Sequence, residues 1–236
     1  MLLENNDLQI RKMKVRFIGG VETVTGSCSM LEYINGENKQ TVLVDCGMYQ
    51  GEGAQNLKNL PFDAKNISKV ILTHAHLDHC GAIPLLYKYG YTGEVYCTSM
   101  TADCAREILL DSANISNGEL YKISDVDQIK FNCVDLDSKF SWGQHISIGK
   151  DFFFYFLRSS HILGAVSVGF IWQEADFEKK TIVFSGDIGA STLQNEQSLL
   201  IKDNQYPHNG RGNDFIVLES TYGARKRECF NYKQRL

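Results

Sequence analysis

The sequence predicts a mixed α/β (α+β) domain with two β layers, and three observations carry that prediction. Short runs rich in Val, Ile, Phe and Tyr recur along the 236 residues, bounded by Gly, Asn or Asp as strands usually are. Only two stretches read as helices, and they lie among the strands. The hydrophobic share, 43%, suffices for a core between packed layers.

The strand candidates, in order, are "KVRFIG" (14–19), "SCSMLEYI" (27–34), "TVLVDCG" (41–47), "KVILTH" (69–74) and "GEVYCT" (93–98). They continue with "FFFYFLR" (152–158), "AVSVGFIW" (165–172), "TIVFSGD" (181–187) and "DFIVLES" (214–220). "GENKQ" at 36–40 reads as a hairpin turn. One helix is expected from near Asp78 through "CGAIPLLYKYG", with Pro84 in its early turns and Gly90 as its stop. A second opens at Thr101 and places Ala105, Ile108, Leu109 and Ala113 on one face. The polar stretch 190–213 reads as loop.

Composition narrows the class. A net charge of −4 gives no overall nucleic-acid signature, although an average does not describe a local patch. Seven cysteines at 28, 46, 80, 97, 104, 133 and 229 are odd in number and lack a Cys-x-x-Cys pair. They read as free thiols, mostly buried, in a reducing compartment. The N-terminus alternates charged and apolar residues, unlike a signal peptide, and no run approaches the roughly 18 apolar residues that span a membrane. A cytoplasmic protein without membrane attachment is expected, with residues 1–12 as a flexible extension before Met13.

The most informative stretch is "ILTHAHLDHCGAIPLL" (71–86), which holds three of the six histidines and an aspartate within six positions. If 69–74 is a strand, His74 and His76 project to one side as the chain leaves it, because side chains alternate with period two. Asp78 and His79 then fall at the start of the following helix, where the dipole favours a carboxylate. Neutral imidazole and carboxylate suit zinc, and also iron or manganese. A histidine-rich surface loop is the bland alternative, and residue types, spacing and strand–helix context all weigh against it.

His-x-His-x-Asp-His after an apolar strand resembles the signature of the metallo-β-lactamase fold superfamily. That resemblance implies a four-layer αββα sandwich and further ligands downstream. "SSHILGAVSVGF" offers His161 after a strand, and "IVFSGDIG" offers Asp187 at a strand end. On the superfamily's arrangement, His74, His76 and His161 surround one divalent metal, while Asp78, His79 and Asp187 surround a second. Zinc is the expected metal. Two such ions about 3.5–4 Å apart would share Asp187 and a bridging hydroxide nucleophile, and Asp78 would also orient the water.

"FIGGVETVTGSCSMLEY", "VLVDCGMYQG", "HLDHCGAIPLL" and "VLESTYG" resemble the β-CASP ribonuclease branch of that superfamily. The resemblance runs from about residue 14 to 223. It implies a metal-dependent hydrolase of RNA phosphodiester bonds, with single-stranded RNA as partner. It also implies a catalytic role for Glu219, which in that branch opens an inserted domain and helps protonate the leaving oxygen. The expected organisation is a metallo-β-lactamase domain over 13–223 and the truncated start of a β-CASP-type insert over 224–236. The branch pattern continues past residue 223 to further histidines, and these do not occur before Leu236. The sandwich is therefore expected to be incomplete at its C-terminus.

Two alternatives follow: a weakly active metal-binding half that needs a complementary polypeptide or a second copy, and a small-molecule hydrolase of thioesterase or lactonase type. Asp45 reads as support for a ligand, Cys80 as a packed thiol, and His145 and His208 as ordinary polar positions. "ARKR" (224–227) reads as a solvated helix start at least as readily as a phosphate contact.

Overall fold

A computed structural model of the protein describes residues 11–51, 59–134, 142–176, 178–189, 212–221 and 223. Within them lie eleven strands in two sheets, four α-helices and one 3₁₀ turn at Ala64–Asn66.

The first sheet is built from β1 (Arg11–Gly19), β2 (Cys28–Asn35), β3 (Asn38–Val44), β4 (Lys69–Ile71), β5 (Val95–Cys97) and β6 (Phe131–Cys133), in that spatial order. β1, β2 and β3 are antiparallel, and the β2–β3 hairpin turns through Gly36 and Glu37 alone, since 38–40 of the expected turn already belong to β3. β3 to β6 are parallel, so crossovers join them. The second sheet takes the order β11 (Phe215–Val217), β10 (Lys179–Phe184), β9 (Val166–Gln173), β8 (Phe152–Arg158), β7 (Ile146–Gly149). β10 and β11 are parallel and the remaining pairs antiparallel.

Period-two alternation explains how the sheets meet. Phe152, Phe154 and Phe156 of β8 and Val166, Val168, Phe170 and Trp172 of β9 face Leu31, Tyr33, Val42 and Val44 of the first sheet in one buried cluster. The opposite face of the first sheet, through Met30, Leu43, Val70 and Val95, packs on the helices. Those helices are α1 (Leu77–Cys80), α2 (Ile83–Lys88), α3 (Ser99–Ile115) and α4 (Ile123–Val126). The outer face of the second sheet carries a third buried cluster of Tyr155, Leu157, Ile171 and Val183. Helices covering that face are not among the described residues, so three of the four expected layers are seen.

The helix expected from Asp78 divides into α1 and α2. Gly81 and Ala82 interrupt it, and Pro84 in the first turn of α2 lacks the N–H that a continuous helix would use. α3 begins two residues earlier than Thr101, because the Thr98 side chain accepts from the Thr101 N–H and so caps the helix. β1 starts at Arg11 rather than Lys14. β6, β7 and α4 were not anticipated, since each is only three or four residues long and lacks a clear period. Residues 1–10, most of 190–213 and all of 224–236 lie outside the described residues, as do His208 and Cys229.

The topology gathers the strand ends that matter. β1, β3 and β4 point the same way in the first sheet, as do β8, β10 and β11 in the second. His74 to His79 follow β4, His161 follows β8, Asp187 follows β10 and Glu219 follows β11. Carboxyl ends of parallel strands are where open α/β sheets place ligands.

Candidate metal centre

Four of the anticipated ligands converge. One donor atom each from His74, His76, His161 and Asp187 lies within 4.8 Å of the other three. His76 Nδ1 sits 3.1 Å from both His74 Nε2 and His161 Nε2. Asp187 Oδ2 stands 3.5 Å from His161 Nε2 and 3.9 Å from His74 Nε2. Three imidazole nitrogens this close cannot all be satisfied by shared protons. Nitrogens held about 2.0–2.1 Å from a tetrahedral ion would lie at similar separations. The donors therefore fit a divalent cation.

The other oxygen of Asp187 faces a different way. Oδ1 lies 3.2 Å from His79 Nε2, and Asp78 Oδ2 lies 3.9 Å from the same nitrogen. Asp187 thus stands between the three-histidine group and His79, with one oxygen toward each. Asp78 and His79 occupy the first turn of α1, as expected.

Beneath these side chains lies a buried brace that sequence reasoning found only in part. Asp45, 1% exposed, accepts from the Thr73 N–H at 2.8 Å, the Thr73 hydroxyl at 3.0 Å and the Ser27 hydroxyl at 3.3 Å. Its Oδ2 also lies 2.7 Å from His79 Nδ1. Asp45 thus braces the imidazole of His79, one of the candidate ligands. Its φ of +59° is uncommon for a non-glycine residue and turns the carboxylate under the site. Thr73 was missed. It stands in the sequence as one more β-branched residue of the expected strand 69–74, and only the fold reveals its partners.

Proton accounting fixes how two histidines present themselves. The Thr73 hydroxyl has one proton, and the acceptor-only Asp45 carboxylate takes it. Thr73 Oγ1, 3.0 Å from His74 Nδ1, therefore accepts from that nitrogen. The proton of neutral His74 is held on Nδ1, which leaves the Nε2 lone pair directed at the cluster. Asp45 does the same for His79 by accepting from its Nδ1.

Charge reinforces this arrangement. Burial, helped by the imidazole of His79, pushes His74 down to about 2, so it stays neutral. Burial and His161 likewise lower His76. Burial opposes a charge on His79, yet the Asp45 and Asp187 carboxylates outweigh it and raise that group to about 10. Burial would raise Asp187, but the hydrogen bond and charge of His79 bring it down to about 2. Without metal, a proton on His79 holds the two carboxylates together.

The backbone around α1 is fastened to neighbouring loops. Ser27 N–H donates to Asp78 O, Cys46 N–H to His79 O and Met48 N–H to Leu77 O, all at 2.8–2.9 Å. Gly47 permits this approach, since a Cβ there would fall 1.7 Å from Asp78 O. The His161 loop is held from the other side. Thr98 and Thr101 hydroxyls both donate to Gly164 O, at 2.8 and 3.0 Å, and Ser159 Oγ donates to Asp187 O at 2.7 Å.

Glu219 lies beside the centre rather than among the converging donors. Its Oε1 accepts from the Ile188 N–H at 2.9 Å, and its own N–H donates to Ser185 Oγ. Cys80 is fully buried with its thiol directed at Ala75 O, and burial raises it well above an ordinary thiol. His145 is exposed and contacts the rings of Phe153 and Tyr155. A cavity of about 350 Å³ opens on the His79 side, lined by Asp45, Thr73, Asp187 and Glu219 with Phe17, Phe184 and Val217.

Residues 22–100 match the metallo-β-lactamase superfamily. A ribonuclease of Thermus thermophilus is 32% identical over 214 residues, covering 90% of this chain and 44% of the relative. An RNase J-like protein of Methanocaldococcus jannaschii is 33% identical and covers 89% of the chain and 43% of the relative. A transcription termination factor of a Lokiarchaeum species is 28% identical, with 93% and 32% covered. The chain spans less than half the length of these relatives.

Proposed function

Because this chain carries the fold and sequence signature of the metallo-β-lactamase superfamily, we propose that its side-chain cluster is the two-metal centre of a hydrolase that cleaves single-stranded RNA, of the β-CASP ribonuclease type. The observation that carries the reading is the placement of Asp187, with Oδ2 toward His74 and His161 and Oδ1 toward His79. His74, His76 and His161 would hold one ion, and His79 and Asp78 the other, with Asp187 shared. An imidazole-rich set of this kind favours zinc. Divalent ions bound there supply Lewis acidity, an activated water and neutralisation of phosphate charge.

The chain's own groups do the rest. Thr73 and Asp45 keep His74 and His79 in the tautomers that present Nε2. Asp78, in the first turn of α1 with its side chain 17% exposed, can accept a proton from water and orient it. The cavity beside His79 leaves room for a substrate group at the second position.

Two ribonuclease-type relatives support RNA as the substrate, and their greater length makes the activity of this chain alone a matter for experiment. The test is cleavage of end-labelled single-stranded RNA by the zinc-loaded chain, with His76→Ala as control. Chelator-sensitive cleavage abolished in the variant supports the reading. Stoichiometric metal with no cleavage, restored by a second polypeptide or by self-association, would assign a metal-binding half instead. Turnover of thioesters or lactones but not RNA would assign a small-molecule hydrolase.

Among the described residues no helix is long and apolar enough to cross a membrane. Cys28, Cys46, Cys80, Cys97, Cys104 and Cys133 are free thiols, which suits a reducing compartment such as the cytoplasm.

A further inference from the structure

The chain is acidic overall, yet β1 carries four cations and no acid in nine residues. Arg11 is spent internally: it is buried, donates to Gln173 and pairs with Asp151. Lys12, Lys14 and Arg16 are all exposed, and of these Arg16 also donates to Met30 Sδ at 3.0 Å. They alternate along the strand, so they share one face, while Met13 and Val15 turn inward against the cluster between the sheets. Alternate residues of a strand repeat about every 6.6–6.8 Å, comparable with successive phosphates along an extended single strand.

The row has a direction. β1 runs parallel to β3 and β4, so Lys12 lies at the far edge of the sheet and Arg16 nearest the metal end. The next residues, Phe17, Gly19 and Gly20, line the cavity beside His79 and Asp187. Across the register Lys14 faces Glu32, which also pairs with Lys39 and sits 4.0 Å from Arg16. Four cations to one carboxylate leave the patch positive. Among the described residues, neither Lys12 nor Lys14 forms an ion pair.

From this we propose that the outer face of β1 is a backbone track for single-stranded RNA, with Lys12, Lys14 and Arg16 as successive phosphate contacts leading to the metal cleft. The inference rests on the ribonuclease reading and adds the path of the substrate strand. Phosphate contacts of this kind position a strand without reading its sequence. The competing explanation is that lysines on an edge strand merely block pairing with another sheet.

The test is anisotropy of a labelled single-stranded RNA titrated with the full chain, with EDTA present to prevent cleavage, across a salt series. Each lost phosphate contact should flatten the plot of log affinity against log salt by about 0.7. The triple variant Lys12→Ser, Lys14→Ser, Arg16→Ser is expected to bind at least ten-fold more weakly, with a slope shallower by about 2. Lys14→Ser alone, a milder change on an exposed face, should lose about one third of that slope. His76→Ala should keep both affinity and slope. In parallel, the zinc-loaded triple variant should hydrolyse bis(p-nitrophenyl) phosphate as the unmodified chain does. Unchanged RNA affinity and slope in the triple variant would overturn the track, and self-association of that variant would then identify the row as an edge guard. An unmodified chain that binds no RNA overturns it as well, whereas diester turnover reports separately on the metal centre.

Discussion

The Glu219 carboxylate accepts the Ile188 N–H at 2.9 Å, one residue beyond Asp187, and so holds the loop that carries Asp187. Ser159 holds the same loop from the other side through Asp187 O. A bracing role differs measurably from the proton-donor role that resemblance alone implies. A glutamine still offers an oxygen acceptor, so Glu219→Gln should bind zinc within a few-fold of the unmodified chain. Glu219→Ala should lose about ten-fold in affinity, at the lower end of the range for groups supporting a ligand. Competitive chelator titration reads both values. Full metal binding with complete loss of RNA cleavage in Glu219→Gln would instead favour proton donation.

Thr73 gives a sharper case. Thr73→Val keeps the volume but removes the hydroxyl that links Asp45 to His74. Zinc affinity should fall about 10–100-fold, while Thr73→Ser should restore most of it. Near-UV circular dichroism shows whether the core is intact in both, which separates a tautomer effect from misfolding.

Gly164 sets the height of the His161 loop. Its φ is +81°, and a Cβ there would lie 2.7 Å from Thr101 N and 2.8 Å from both threonine hydroxyls. Gly164→Ala should therefore displace His161 and disturb the three-histidine position first. Cobalt substitution reads this as altered intensity of the d–d bands of one ion, with the His79-side ion little changed.

The metal-free chain should be most stable near pH 6.5, judged from the site histidines. His79 is raised in the folded chain, so its contribution is complete below 6.5 and is lost as pH rises toward about 10. His74 is depressed, so below 6.5 the unfolded chain takes up a proton that the folded chain refuses, and stability falls with pH. Asp187 adds a further loss as pH falls from 3.8 toward about 2. Urea midpoints measured with chelator across pH 5–9 trace the maximum. On the proposed centre zinc displaces the His79 proton, so calorimetry in buffers of different ionisation enthalpy should show proton release at neutral pH.

Why the side chains of the candidate cluster were legible while their hydrogen-bonding supports were not has a physical basis. His74, His76, Asp78 and His79 share one strand–helix junction, so local spacing suffices to group them. His161 and Asp187 join them only because β8 and β10 end at the same edge as β4, and recognising them required a family pattern rather than a period. Thr73, Ser159, Thr98 and Thr101 act through hydroxyl contacts to residues as much as 66 positions away, and hydroxyls carry no distinctive spacing. Long strands such as β8 and β9 stood out because aromatic and β-branched side chains repeat at period two. β6, β7 and α4 are too short to display any period, and the Gly81–Ala82 break in the expected helix depends on how α1 is tied to Cys46 and Met48.

The most direct measurement is zinc-edge anomalous scattering from crystals of the metal-loaded chain. Two peaks should appear, one among His74, His76 and His161 and one beside His79, each within bonding distance of a different Asp187 oxygen. Absence of any peak at these side chains, or ions bound only elsewhere, would contradict a shared centre bridged by Asp187.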